Sequence, residues 1–225
     1  MSFVLTRESS PPTLRVERRL LREGATVVAA VDEVGRGALS GPVTVGVVLV
    51  TSRTRSAPAR VRDSKALPAR VREDLVPLIQ RWAAGYAVAH ASALEVDERG
   101  VVAALRLAGH RALRSLELRP DVILLDGAHD YLTAPSAPLL VESPDEFDDL
   151  PAVMTVVRAD VSCAAVAAAS VLAKVSRDAL MCELAHQFPH YGWQENKGYA
   201  TEGHRRALAE FGPTPLHRRT WHLGE

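Results

Sequence analysis

The sequence predicts an α/β domain, a mixed five-stranded sheet flanked by helices. Three observations predict it. Compact apolar, β-branched runs at 27–31, 122–125 and 153–157 have the length and character of strands buried on both faces. Runs 27–31 and 41–50 are separated by only a short glycine-rich stretch, which suits an antiparallel pair. Strands joined by short turns and one helix come first, then strand, helix and strand, an order that suggests a mixed sheet covered by helices.

The elements follow in order. Residues 1–12, which include Ser-Ser-Pro-Pro, read as a flexible N-terminus. Residues 13–23 have helical potential, with Leu14, Leu20 and Leu21 as the apolar side. The first strand runs into Asp32 and Glu33. Because neighbouring strand residues point to opposite faces, the backbone is expected to leave strand geometry there if both acids serve one site. A Gly35-Arg36-Gly37 turn then leads into the second strand. Pro68 opens a helix to Trp82, and 86–93 is a third strand. Asp97 is expected to cap one helix reaching about Leu116, with Val101, Leu105, Ala108 and Ala112 on one face. Strand 122–126 comes next, and 128–150, rich in proline and acid, reads as a surface loop. Strand 153–157 precedes one long alanine-rich helix over 161–188. Residues 13–188 are thus expected to form the main domain, and 189–225 a C-terminal helical extension of it.

Composition excludes several classes. With 225 residues and 47% of them hydrophobic, the chain can bury a full core, and no run is long enough to cross a membrane. The start lacks the pattern of a secretory signal, so the cytoplasm is the expected location. Cys163 and Cys182 would stand about 28 Å apart on a continuous helix, too far for a disulfide, and read as buried thiols.

Lys and Arg (27) balance Asp and Glu (27), so no global charge draws the chain to nucleic acid. Local balance differs. Arg53, Arg55, Arg60, Arg62, Lys65, Arg70 and Arg72 face a single acid, Asp63, and read either as a phosphate-holding patch or as a solvated loop. Residues 142–149 are acidic.

Three strand-like runs end in aspartate: Asp32, Asp126 and Asp160. If the first and fourth strands are parallel neighbours, Asp32 and Asp126 meet at the carboxyl edge, where open α/β sheets place ligands. One such residue is an ordinary turn or cap. Three, with Glu33 beside them, are better explained by a metal site. Carboxylates without His or Cys favour Mg²⁺ or Mn²⁺, and two such ions suit phosphate chemistry, one activating water and one stabilising the leaving oxygen. Asp178 would lie about 27 Å beyond Asp160 on an unbroken helix, so it is read as the partner of Arg177 or another cation. His190, His204, His217 and His222 lack compact zinc spacing and read as surface or phosphate-facing residues.

The ordered motifs Asp-Glu-Val-Gly-Arg-Gly (32–37), Asp-Ser-Lys (63–65), Leu-Asp-Gly (125–127) and Ala-Ala-Ala-Ser-Val-Leu-Ala-Lys-Val-Ser-Arg-Asp (167–178) continue through Phe-Pro-His-Tyr-Gly-Trp (188–193), Lys-Gly-Tyr-Ala-Thr-Glu-Gly-His (197–204) and His-Arg-Arg-Thr-Trp (217–221). Together they resemble the type 2 ribonuclease H (ribonuclease HII) family, over nearly the whole chain. The resemblance implies a ribonuclease H-like fold. It implies hydrolysis of the RNA strand of RNA–DNA hybrids and incision of duplex DNA 5′ of single embedded ribonucleotides, in replication and repair. By motif, Asp32, Glu33, Asp126 and Asp160 would be the catalytic, metal-holding carboxylates. Gly35, Arg36 and Gly37 would sense the ribose 2′-hydroxyl, the group that separates RNA from DNA. Tyr199 would stack on the following sugar, and Ser64 and Lys65 resemble a phosphate-holding pair. A monomer acting on nucleic acid, without a membrane partner, is expected.

The link from Asp126 to Asp160 is longer than is usual in the family, and its acidic part is expected to point away from nucleic acid. Glu195 and Asn196 replace expected basic residues, and the extra N-terminal domain of ribonuclease HIII is not expected. A junction resolvase of the same fold and a hybrid-binding protein without catalysis are the rival readings. The first has no reason to sense a 2′-hydroxyl, and the second no reason to keep all four acids.

Overall fold

A computed structural model describes residues 10–134, 149–221 and 223. Its strands are β1 (Val27–Val34), β2 (Val43–Thr51), β3 (Gly85–Ala91), β4 (Val122–Asp126) and β5 (Ala152–Val156). They form one five-stranded sheet in the order β3-β2-β1-β4-β5. The β1–β2 and β2–β3 pairs are antiparallel, and the β1–β4 and β4–β5 pairs are parallel. The acidic 142–148 stretch lies outside the described residues. No helix among the described residues is long and apolar enough to cross a membrane.

Strand alternation sorts the core into two layers. Val28, Ala30, Val48 and Val50 face α6 (Ala164–Gln187), with α1 (Arg15–Arg22) and α2 (Ala69–Trp82) on the same side. Ala29, Val31, Val45, Val47 and Leu49 face α4 (Val101–Arg114) on the other. The alanine run of α6 lies flat on the sheet because nothing large intervenes. At Gly46 a Cβ would stand 2.5 Å from the Ala169 carbonyl oxygen, so only glycine lets the helix come this close.

Four local expectations are corrected. β1 does not bend before its acids; Asp32 pairs with Gly46 and Glu33 with Val45 in unbroken register. The helix expected from Asp97 is two helices, α3 (Ala93–Arg99) and α4, divided by Gly100 at φ 77°. Ser92, not Asp97, caps α3, in a reciprocal capping box with Glu95. Asp97 instead accepts hydrogen bonds from the Arg219 and Thr220 amides at 2.7 and 3.1 Å, tying the tail to α3. The long 161–188 helix is also divided: α5 (Ala159–Ser162) ends at Cys163, which is extended and bridges to Thr13, before α6 begins. Glu17 of α1 then accepts the Ala165 amide at 2.9 Å, satisfying one of the free donors at the start of α6. The supposed surface loop after β4 also begins inside the fold, where Tyr131 and Leu132 are buried against α4.

The tail, with α7 (Trp193–Asn196) and α8 (Glu202–Phe211), forms a third cluster with Leu39, Met181, Tyr191 and Trp193. His204 and His217 lie in its interior rather than at the surface. The Trp193 indole donates to His204 Nε2 at 3.3 Å, so His204 carries its proton on Nδ1 and donates to the Tyr199 carbonyl at 2.9 Å. His217 Nε2 then donates to His204 Nε2 at 3.1 Å, and His217 Nδ1 accepts the Thr214 amide at 3.0 Å. Every ring nitrogen is used by a neutral pair. Burial, then His204 and Arg219, holds the His217 pKa down at about 4.

Gly46→Ala is expected to destabilise the protein by about 1–3 kcal/mol, because backbone must move. Gly203→Ala, in α8 with open space around it, should stabilise by up to about 1 kcal/mol. Urea unfolding of both variants checks the contrast; equal effects would refute close packing of α6 on β2.

Candidate active site

The carboxyl ends of the parallel strands β1 and β4 carry the acids together. Asp32 and Asp160 are buried, at 5% and 6% exposure, while Glu33 and Asp126 are partly exposed. Because β1 continues as a strand, Asp32 lies on the α6 face and Glu33 on the α4 face. Asp126 ends the neighbouring strand beside Asp32, in register after the Val31–Leu125 pair and with the same parity as Leu124 of the α6 layer. One Asp126 oxygen accepts the Ala159 and Asp160 amides at 2.6 and 3.3 Å. It thereby caps the short α5 and delivers Asp160 to the edge. One Asp32 oxygen accepts the Glu33 amide at 2.8 Å.

The charges oppose one another. Burial first, then Glu33 and Asp126, raises the Asp32 carboxyl well above its ordinary pKa. Burial, then Asp126 and Asp63, lifts Asp160 to about 6. Burial also raises Glu33, partly offset by Arg36. Lys65 is exposed above this cluster; burial lowers its pKa, but Asp32, Asp63, Asp160 and Asp126 together raise it on balance.

Among the described residues no trio of His, Cys, Asp or Glu forms a ready-made metal cage. The donor chemistry nevertheless fits a hard divalent cation, since the groups are all carboxylates and a cation among them would relieve the repulsion that, with burial, raises the pKa values of Asp32, Glu33 and Asp160.

The other predicted residues divide. Ser64 is buried, its hydroxyl accepting from Ser170 at 2.7 Å, and Ser170 is also a hydrogen-bonding neighbour of Asp32. Ser64 therefore sets the place of Lys65 rather than reaching outward. Asp178 lies away from the acids, bound by Lys174 at 2.7 Å and Arg72 at 3.5 Å. The half-buried Tyr199 ring has the Arg177 guanidinium 5.5 Å and the Lys174 ammonium 5.9 Å from its centroid. Of the arginine-rich stretch, Arg60 and Arg62 line a cleft of about 750 Å³ with Arg18, reaching Ala66 beside Lys65.

Two buried arginines hold the Gly35–Gly37 region from behind: Arg218 grips the turn itself, and Arg177, expected beside Asp178, instead grips the segment that follows the turn. Arg218 donates to the carbonyls of Gly35 at 2.6 Å, Arg36 at 2.8 Å and Gly41 at 3.2 Å. Arg177 donates to those of Pro42 at 2.8 Å, Lys197 at 2.9 Å and Ser40 at 3.1 Å. Gly35, at φ 89°, has no room for a side chain beside Arg177 and Pro42. Gly37 has nothing within 4 Å of a built Cβ. The Gly35 and Arg36 carbonyls are taken by Arg218, whereas the Arg36 and Gly37 amides have no acceptor among the described residues, and both residues are exposed. Ser170 had one signal in the sequence, a hydroxyl within an apolar helix; the arginines had none beyond membership of the motifs.

The sequence model of the family described as Ribonuclease HII matches residues 29–223. The chain belongs to the ribonuclease HII family. It is 47% identical to ribonuclease HII of Streptomyces avermitilis over 94% of this chain and 84% of that one. It is 41% identical to that of Mycobacterium ulcerans over 97% and 84%. The crystal structure of ribonuclease H2 from Pyrococcus horikoshii OT3 superposes with a TM-score of 0.68 at 27% identity, covering 88% of this chain and 95% of that one. The chain is thus a ribonuclease H of the H2 type, an endoribonuclease with a ribonuclease H-like fold.

The raised Asp160 carboxyl sets a pH test. A raised carboxyl costs stability as pH climbs from the ordinary carboxylate range through about 6. In EDTA, Asp160→Asn is expected to raise the melting temperature at pH 8, with the gain shrinking towards pH 4. Mn²⁺ should reverse the order of the two proteins. Scanning calorimetry measures this, and no gain at pH 8 would refute the repulsion.

Proposed function

We propose that this enzyme cuts the RNA strand of RNA–DNA hybrids and incises duplex DNA 5′ of a single embedded ribonucleotide, leaving a DNA 3′-hydroxyl and a 5′-phosphate. The observation that carries this reading is the adjacency of the carboxylate edge to an exposed turn whose Gly35 and Arg36 carbonyls are held by Arg218 and whose Arg36 and Gly37 amides have no acceptor among the described residues. Asp32, Glu33, Asp126 and Asp160 would hold Mg²⁺ or Mn²⁺. Two such ions supply activation of the attacking water and stabilisation of the leaving 3′-oxygen. Lys65 would hold the phosphate beside the acids, with Ser64 fixing its backbone. The Arg36 and Gly37 amides would donate to the 2′-hydroxyl, and open space at Gly37 admits the sugar. The Tyr199 ring would rest on the next sugar, where a second hydroxyl would crowd it.

Asp126→Asn is expected to abolish cleavage while leaving duplex binding within a few-fold, because it alters both the ion site and the α5 cap without changing size. A labelled DNA duplex with one ribonucleotide, incubated with and without Mn²⁺, measures cutting and binding together. Near wild-type turnover would sink the carboxylate assignment. Tight binding by the wild type without cutting would favour the non-catalytic reading.

Arg218→Lys should lose the fork that spans three carbonyls. Cleavage at a single ribonucleotide is then expected to fall by about 10²-fold, as for a misplaced positioning group, with Mn²⁺ affinity unchanged. Retained cleavage would show that the Arg218 bonds to these carbonyls do not set the turn.

A further inference from the structure

Tyr131 follows β4 in the segment that packs against α4. Its ring lies in the same buried layer as Val31 and Leu125, the residues that precede Asp32 and Asp126. The ring is firmly placed. Leu132 and Thr133 donate their amides to Asp130 at 2.8 and 3.0 Å, and His110 of α4 contacts the Leu132 carbonyl at 3.0 Å. At Gly109 a Cβ would collide with Leu132 and stand 3.9 Å from the Tyr131 ring, so glycine admits this segment to the helix.

The Tyr131 hydroxyl is buried and has no hydrogen-bond partner among the described residues. A phenol in an apolar layer costs free energy that phenylalanine would avoid, so simple packing does not account for it. Glu33 lies on the same face of the sheet, and it heads the charged groups that act on this phenol, before Asp32, Asp126 and Arg36. Glu33 itself is weakly held. Its ion pair with Arg36 spans 4.0 Å, too long for a hydrogen bond, and both side chains are partly exposed.

We infer that Tyr131 is a positioning residue for the carboxylate site, its hydroxyl donating to Glu33 when that carboxylate turns to hold a divalent cation. Outer hydrogen bonds of this kind orient ligating carboxylates and sharpen metal affinity. The inference rests on the proposed carboxylate site and adds to it a donor from outside the acidic motifs. Asp32 and Asp126 already give an oxygen to backbone amides; Tyr131 would do the same for the acid on the other face.

The test compares wild type, Tyr131→Phe and Asp126→Asn as full chains stripped with EDTA. Each is titrated with Mn²⁺ by calorimetry and melted in EDTA. Tyr131→Phe is expected to melt no lower than wild type in EDTA, because it removes only an unpaired group, yet to bind Mn²⁺ about 10–100-fold more weakly. Unchanged Mn²⁺ affinity overturns the inference. A lower melting point in EDTA also overturns it, since the hydroxyl would then be paired within the protein alone. Asp126→Asn separates the two layers of the argument. If it binds Mn²⁺ like wild type, the metal site itself fails, and Tyr131's role with it. If it loses Mn²⁺ while Tyr131→Phe does not, only the role of Tyr131 fails.

Discussion

The guanidinium of Arg218 holds the site together. It is fully buried, and its donors are spent on the carbonyls of Gly35, Arg36 and Gly41. Burying a cation is costly unless its hydrogen bonds are met, and here burial, then Arg177, pulls its pKa down to about 10. Charge-assisted bonds to several carbonyls satisfy it and fix the backbone path at once. The tail that carries Arg218 is therefore part of the site. Gly198 reinforces it by accepting the Leu39 and Ser40 amides, and a side chain there would strike Ser40. The neutral His204–His217 pair keeps that tail folded and holds the Tyr199 carbonyl in the same network.

The acidic edge has the opposite energetics. Asp32 and Asp160 are buried there, and burial together with neighbouring carboxylates disfavours their charge. Such groups persist only where the surrounding structure is stable enough to hold them. The core beneath supplies this, with a sheet buried on both faces and an alanine-rich helix lying close over Gly46. Stability thus comes from the middle of the sheet, and its loss is concentrated where chemistry needs unsatisfied charge.

The unbroken strand through Asp32 and Glu33 divides the edge into two sides. The α6 side has Asp32 with Ser170, Ser64 and Lys65, joined by hydroxyl contacts and charge. The α4 side has Glu33 with Arg36 and Tyr131. Asp126 acts on both and, by capping α5, adds Asp160. The edge therefore presents carboxylates on both faces of one strand.

Much of this was legible from residues alone. Apolar runs with strand length marked four of the five strands to within a residue or two and stopped three residues short on β1, where the acids interrupt the apolar signal. The short β1–β2 link and the aspartates at strand ends predicted the pairing and the shared edge. Where helices break was not legible: Gly100 and Cys163 interrupt apolar periodicity too briefly to show, and the partners that make those breaks tolerable, Glu17 and Thr13, are distant. The tail histidines were misplaced because their charge-free state depends on a cavity that no local pattern describes. The sequence by itself determined the fold class, the donor chemistry and the family. Only the tertiary structure decided that Asp32 and Glu33 serve opposite faces, and that Arg218 grips Gly35 across 183 residues of chain. The reason is physical: residue type and local period are written along the chain, whereas a buried charge finds its partners only when distant segments close around it.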